Sequence, residues 1–136
     1  MDWVPFTMTF PLSRLMSSAT ATYAGYCFVD PRHLGKAVTD NPVKQADLDV
    51  LAHTFGARDL AVSSLAIFGR SPKTITSAML LRIALDVSDG LILAAETTSD
   101  EARKRVLTLT FGWATLNTMA LVIDRRRARK GQPITV

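Results

Sequence analysis

Three ionisable residues recur at helical spacing within residues 74–95, a stretch otherwise rich in Leu, Ile, Ala, Met and Val. Arg82, Asp86 and Asp89 stand at positions i, i+4 and i+7, so a helix places all three on one face. An unpaired charge in a protein core or in lipid costs several kcal/mol, so these groups must meet opposite charges, water or a ligand. Carboxyl groups held in this way can donate and accept protons, which is general acid and base chemistry.

A second group of polar residues lies near the middle of residues 42–68. In a helix, Gly56, Asp59 and Ser63 share one face, and the glycine lets a neighbouring helix approach closely. Arg58 points about 100° away from Asp59. We therefore expect Arg58 to bridge to the neighbouring helix through one of the two aspartates of the first group.

The last apolar stretch of the chain contributes hydrogen-bonding groups and no charge. Thr108, Gly112 and Thr115 form a narrow face of small and polar side chains. Asn117 and Thr118 add further hydrogen-bonding groups. We expect these side chains to complete a central cavity.

Start and stop signals predict the helices that must position these residues. The predicted helices begin near Pro11, Pro42, Pro72 and Thr98, the last at a capping box formed with Glu101. They end near Val29, Phe68 and Ala95, and before Gly131. We predict one all-α, four-helix bundle domain over residues 1–136, with an extended segment over 1–10 and a basic tail over 125–136.

The apolar part of each predicted helix is close to the roughly 20 residues that cross a bilayer. These parts run over residues 12–29, 50–68, 74–95 and 106–123. The sequence therefore predicts a multi-pass integral membrane bundle, in the endoplasmic reticulum if the organism is a eukaryote. The charged residues would then need protein or aqueous surroundings at membrane depth. A soluble helical bundle is the alternative.

Other residue types exclude several classes of site. Cys27 is the only cysteine, which excludes an internal disulfide and a Cys-x-x-Cys redox or zinc site. His33 and His53 lack partners at metal-ligand spacing and no glycine-rich phosphate loop is present, so we expect no metal and no cofactor. The net charge of +4 owes much to the basic tail, in which no aromatic residues are interleaved. We therefore expect the tail to contact membrane lipid and not nucleic acid.

Three motifs carry a resemblance to a known family. They are Gly56-Ala57-Arg58-Asp59-Leu60-Ala61, Asp86-x-x-Asp89-Gly90 and Gly112-Trp113. In this order, the chain resembles a family of small four-helix membrane proteins of bacteria and fungi that bears the label of a domain of unknown function. The resemblance covers residues 21–122, and the Gly-x-Arg-Asp core of the first motif is its most specific element. It implies a membrane bundle with a polar centre and names no reaction.

We interpret the polar centre as the site of a membrane-embedded enzyme for a lipophilic small molecule, with isomerisation or cyclisation as the reaction. The predicted catalytic residues are Asp59, Asp86 and Asp89. Asp89 is the first candidate among the three, because Gly90 beside it is expected to leave room for a ligand. The predicted substrate-binding residues are Arg58, Arg82, Trp113 and Asn117.

Two other interpretations stay open. The same charges can form structural ion pairs between helices in a non-catalytic membrane scaffold or accessory subunit. Four short spans would also suit a dimeric exporter, although the first helix has no acidic residue to couple protons. A homo-oligomer is compatible with each interpretation. A cavity with one unpaired carboxylate would favour the enzyme, whereas full pairing of the two arginines with the three aspartates, without a cavity, would favour the scaffold.

Overall fold

The computed structural model describes residues 9–131, and all regular structure within them is helical. The helices are α1 (Pro11–Val29), α2 (Arg32–Val38), α3 (Pro42–Phe68), α4 (Pro72–Glu96) and α5 (Asp100–Arg129). The all-α prediction is confirmed, and the four long helices have bounds close to those predicted. The predicted count of four helices is wrong for this part of the chain, because Pro31, which ends α1, is also the N-cap of the short α2.

Capping side chains account for the helix starts. Asn41 and Ser71 cap α3 and α4, because each side chain accepts hydrogen bonds from backbone N–H groups of the first helical turn. Ser99 caps α5, whereas the predicted cap was its neighbour Thr98. Both residues carry a hydroxyl that can accept the capping hydrogen bond. The helix α5 continues through Arg129, so residues 125–129 of the predicted basic tail are helical, while residues 132–136 lie outside the described residues. Arginines are favourable there because the C-terminal end of a helix carries partial negative charge.

The four long helices form a ring in the order α1, α3, α4, α5, and α2 covers one end. The main contacts are α1 with α3 and α4 with α5, while α3 meets α4 and α1 meets α5. Gly56 allows the close approach of α1 and α3, as predicted: a β-carbon there would lie 3.0 Å from the carbonyl oxygen of Ala24. The short helix α2 packs mainly on α3.

The end of the bundle opposite α2 is held by side chains that bind helix termini. The helix α1 has no side-chain cap from its own N-cap residue. Asp124 of α5 replaces it, because its carboxylate accepts a 2.7 Å hydrogen bond from the backbone N–H of Ser13. Arg14 donates to two backbone carbonyl groups at the C-terminal end of α3. The start of α1 and the end of α5 therefore lie together at this end.

The middle parts of the long helices keep their charged side chains inside the bundle, together with two buried apolar clusters, and their outer surface is uncharged and largely apolar. These middle parts are residues 15–29, 50–68, 74–95 and 106–123. Their only charged side chains are five that form one internal cluster, described below. Large apolar side chains are exposed instead, and Leu15, Leu80 and Leu109 are each more than half exposed. We call the exposed surface of these four middle parts the apolar belt.

One described helix, α5, is by itself long and apolar enough to cross a membrane. Only 28% of its apolar stretch is buried in the fold. None of the other described helices is by itself both long and apolar enough to cross a membrane, so the composition of the helices does not support the prediction of four spans. Inward-facing charged and hydroxyl side chains, such as Ser17, Asp59 and Arg82, lower the hydropathy of these helices.

Candidate functional site

Charged side chains of α3 and α4 meet in the interior of the bundle. Arg58 of α3 binds Asp89 of α4 through two hydrogen bonds, of 2.8 and 2.5 Å. It also donates to Oδ1 of its neighbour Asp59. Arg82 lies 2.7 Å from Asp86, one helical turn along α4, and 2.6 Å from Asp59 on α3. The predicted bridge from Arg58 is confirmed, and Asp89 is its partner. The two parallel bonds also fix the orientation of both groups.

The third helix of the cluster is α5, which contributes Asn117. Asp86 accepts a hydrogen bond from Arg82 with one oxygen and a 3.0 Å hydrogen bond from the Asn117 amide with the other. Asn117 is fully buried, and its own Oδ1 has no partner among residues 9–131. The contact between Nη1 of Arg82 and Asp59 is close but is not aligned as a hydrogen bond. This contact is ionic, and the N–H groups of Nη1 remain free to donate a hydrogen bond to Asp59.

The cluster contains one carboxylate more than it has guanidinium groups. Oδ1 of Asp59 is contacted by both Arg58 and Arg82. The other oxygen of Asp59, Oδ2, receives no hydrogen bond within the described part of the chain. Both oxygens of Asp86 and both oxygens of Asp89 are occupied. Asp59 is thus the carboxylate whose second oxygen is free to contact a ligand.

A cavity of about 320 Å³ opens onto this cluster. The three aspartates form its charged side, and helices α1 to α5 all contribute to its lining. The rest of the lining is largely apolar and aromatic, including Leu34, Phe55, Leu93, Leu109 and Trp113. Small-molecule sites are commonly apolar cavities of roughly 300 to 1,000 Å³ with a few placed polar groups. The size and lining therefore suit a small lipophilic molecule with one polar group.

The predicted site residues divide into two sets. Trp113 lines the cavity, and its indole N–H donates a 3.0 Å hydrogen bond to the hydroxyl of Thr20, which joins α5 to α1. Arg58, Arg82 and Asn117 do not line the cavity and instead contact the carboxylates that do. Direct substrate binding by these three residues is therefore not what the geometry favours. They hold the carboxylates in place.

The expected space at Gly90 is absent, although Asp89 itself lines the cavity. A β-carbon on Gly90 would overlap with the hydroxyl of Thr110, because α4 and α5 pack closely at this point. The glycine therefore serves helix packing, and the prediction that it leaves room for a ligand is wrong. Asp89 also accepts hydrogen bonds from Nη1 and Nη2 of Arg58, which weakens the argument that placed it first among the aspartates.

The prediction that the small and polar face of α5 lies inside the bundle is also wrong. Thr108, Gly112 and Thr115 are exposed and do not face the cavity. Asn117 is buried as expected, whereas Thr118 is exposed, and Thr110 lines the cavity. A β-carbon on Gly112 would meet no atom within 4 Å, so this glycine borders open space.

Sequence reasoning missed the contribution of α1 and α2. Tyr23 of α1 lines the cavity, and its hydroxyl lies 2.7 Å from Nε2 of His33 in α2. Nδ1 of His33 lies 2.5 Å from the backbone carbonyl oxygen of Asp30. Because a carbonyl can only accept, Nδ1 carries the proton in the neutral ring and Nε2 accepts from Tyr23. The only sequence signal for this pair was the presence of a tyrosine and a histidine on either side of a helix stop.

The short helix α2 is fixed on α3 by an ion pair and by close backbone packing. Arg32 donates to both carboxylate oxygens of Asp49. These hydrogen bonds hold the pKa of Asp49 below its ordinary value. A β-carbon on Gly35 would collide with the backbone of Gln45, so α2 lies directly against α3. His33 and the cavity-lining Leu34 are therefore carried by an anchored element.

Comparison of the chain with protein families, with curated proteins and with solved structures finds no significant match in any of the three. The resemblance to a family of small membrane proteins therefore stays a prediction that rests on the three sequence motifs.

Proposed function

We propose that the chain is an integral membrane protein whose four long helices cross the bilayer together. The support is the placement of charge: each charged side chain of the middle parts belongs to the internal cluster, and the surrounding belt is apolar. Hydrocarbon offers no hydrogen bonds, so surfaces at membrane depth must be apolar and polar groups must be paired inside. In water, so much exposed apolar surface would promote aggregation.

The length of the belt agrees with this placement. The middle parts contain 15 to 22 residues each. At about 1.5 Å per residue these helices are about 22 to 33 Å long, comparable with the ~30 Å hydrocarbon core of a bilayer. The charged loops and helix ends, including the Arg32–Asp49 pair, then lie outside the hydrocarbon.

Within this bundle, the function that the geometry supports best is an enzyme that isomerises or cyclises a lipophilic small molecule. The observation that carries this proposal is the cavity of about 320 Å³, which joins an apolar lining to three carboxylates. Isomerisation and cyclisation need a shaped apolar cavity and placed proton donors and acceptors. The cavity provides both requirements.

Two groups on the cavity wall can divide the proton transfers. The charged cluster has one carboxylate in excess, so it can hold one proton as a unit, and Oδ2 of Asp59 is the atom through which it can deliver that proton to a substrate. Tyr23 can accept a proton from the substrate while its own hydroxyl proton passes to Nε2 of His33. The substrate gains one proton and loses one, and solvent returns the proton from His33 to the cluster.

A specific observation favours a second candidate, a non-catalytic membrane scaffold. Each of the three aspartates contacts at least one arginine, which is the arrangement expected of structural ion pairs between helices. The cavity argues for the enzyme, because a scaffold does not need an apolar space beside its ion pairs.

The experiment that tests the enzyme uses solvent deuterium. The purified chain, reconstituted in lipid nanodiscs in D2O, is incubated with lipophilic ketones, epoxides and polyenes, and products are analysed by mass spectrometry. Proton delivery from the cluster should place solvent deuterium on product carbon. Asp59→Asn should lower product formation by about a hundredfold or more, because asparagine keeps the shape but cannot transfer the proton.

The matched control is Asp100→Asn, at an exposed position near the start of α5 and outside the cavity lining. This variant should retain full activity. Binding of the same compounds is followed by the fluorescence of Trp113 in a Trp3→Phe background. Compounds that bind but give neither product nor deuterium uptake would contradict the enzyme and favour the scaffold, as would unchanged turnover in Asp59→Asn.

A further inference from the structure

A second pocket, of about 420 Å³, lies at the end of the bundle where α4 begins and α5 ends. Three cationic side chains line it: Lys73 from α4, and Arg125 and Arg129 from α5. Thr76 and Ser77 add hydroxyl groups to the same wall. This pocket is separate from the cavity beside the charged cluster, with which it shares no lining residue.

The three cations of this pocket have no acidic partners in the described part of the chain. No acidic side chain lines the pocket, and none of its three cations forms an ion pair there. Asp124 precedes Arg125 in sequence, but it is buried and accepts hydrogen bonds from the start of α1. At the other end of the bundle, by contrast, Arg32, Lys44 and Arg103 each pair with an acidic residue.

The chemistry of the pocket matches a phosphate group. Guanidinium and ammonium groups bind phosphate oxygens with charge-assisted hydrogen bonds, and hydroxyls add further donors. The N-terminal end of α4, whose first residue Pro72 lines the pocket, adds partial positive charge to that of the three cations. No acidic side chain lines the pocket, and the partial negative charge at the end of α5 is outweighed by the three cations.

The position of the pocket also matches a lipid headgroup. The pocket lies at the edge of the apolar belt. The belt on α4 starts at residue 74, and Lys73 of the pocket is the residue before it. Anionic lipids attract cationic side chains at this depth of a bilayer. We propose that this pocket binds the phosphate group of an anion, supplied by the headgroup of an anionic lipid. The proposal concerns a site that the suggested enzyme chemistry does not use.

The test measures binding to the purified full-length chain in neutral detergent by native mass spectrometry and thermal unfolding. The probes are phosphatidic acid, phosphatidylcholine of the same chain length, and inorganic phosphate. The pocket variant combines Lys73→Gln, Arg125→Gln and Arg129→Gln. The matched control combines Arg126→Gln, Arg127→Gln and Lys130→Gln, which removes the same charge from the same end of the bundle but from residues that do not line the pocket.

Phosphatidic acid should bind the wild type and the control saturably, and the affinity of the pocket variant should be lower by about tenfold or more. Binding of phosphatidic acid but not of inorganic phosphate would identify the lipid as the source. Displacement of the lipid by inorganic phosphate, with the same dependence on the pocket residues, would support the site and assign it to a soluble phosphate. Equal losses in the two variants, or no preference for phosphatidic acid over phosphatidylcholine, would overturn the proposal and leave only a diffuse basic surface.

Discussion

Arg58 joins the two helices that carry the carboxylates. It makes two hydrogen bonds to Asp89 across the helix boundary and contacts Asp59 on its own helix. A buried ion pair contributes little relative to a well-packed apolar pair, but removal of one partner leaves the other charge buried and unpaired. The stability of the cluster should therefore respond strongly to single changes and weakly to paired ones.

Replacing Arg58 with Gln should lower the free energy of unfolding by about 3 kcal/mol, because Asp89 loses both of its donors. Adding Asp89→Asn should recover part of that loss, since no stranded carboxylate remains. A double-mutant cycle in detergent measures this coupling. The cycle of Arg58 with Asp86 is the control and should be close to additive, because these two side chains make no direct contact. Equal coupling in the two cycles would contradict the assigned pair.

The choice among the aspartates could not be made from the sequence. Helical spacing placed Asp59, Asp86 and Asp89 inward, and all three are buried. The carboxylate oxygen that stays free of hydrogen bonds is determined by the side-chain conformations of Arg58 and Arg82. The spacing of residues along the sequence does not define these conformations. For that reason Asp59 replaces Asp89 as the first candidate for the proton-transferring carboxylate.

Packing between α4 and α5 depends on a glycine at the closest approach of the two helices. A β-carbon on Gly90 would overlap with Thr110, whereas one on Gly112 would meet open space. Both positions lie within helices, so alanine is favoured at each by intrinsic helix propensity. The difference between the two substitutions therefore isolates the packing contribution.

Gly90→Ala should lower the free energy of unfolding by about 1 to 3 kcal/mol, because α4 and α5 must move apart to admit the methyl group. Gly112→Ala should leave stability unchanged or raise it by up to about 1 kcal/mol. Thermal and chemical unfolding of the two variants in the same detergent provide the measurement. A Gly90→Ala variant as stable as Gly112→Ala would show that the helices do not pack closely at this point.

The long helices were predictable because proline and capping residues mark their starts, as at Asn41-Pro42 and Ser71-Pro72. The helix α2 was not, since seven residues are too few to show a helical period. The inward face of α5 was misread because threonines were taken as interior groups. The hydroxyl of Thr115 donates to the backbone carbonyl of Phe111, so it is satisfied within its own helix while facing outward.

Contacts between distant parts of the chain were beyond the reach of sequence patterns. Asp124 caps α1 across more than a hundred residues, as the hydrogen bond to Ser13 shows. Tyr23 and His33 meet only because the chain reverses between α1 and α2. Neither contact leaves a periodic signal in the sequence.

The whole molecule holds a buried charged cluster and two buried apolar clusters inside an apolar belt, with surface charge at the two ends. Lys73, Arg125 and Arg129 lie at one end, while the other end carries ion pairs such as that between Arg32 and Asp49. The uncharged middle surface differs from that of a soluble domain, on which charged side chains are mostly exposed. The proposed membrane placement rests on this surface, because hydrocarbon offers no partners for exposed charges.

The most direct measurement of this central claim is the collision of spin labels with oxygen and with a water-soluble nickel chelate. Single cysteines replace Leu15, Leu80 and Leu109 of the belt, in a Cys27→Ser background and in lipid vesicles. Control labels replace Lys36 and Arg126 at the two ends.

Oxygen concentrates in hydrocarbon and the chelate stays in water, so belt labels should collide readily with oxygen and rarely with the chelate. End labels should show the opposite preference. Belt labels that collide with the chelate as often as the end labels would place the apolar belt in water and contradict the membrane-embedded bundle.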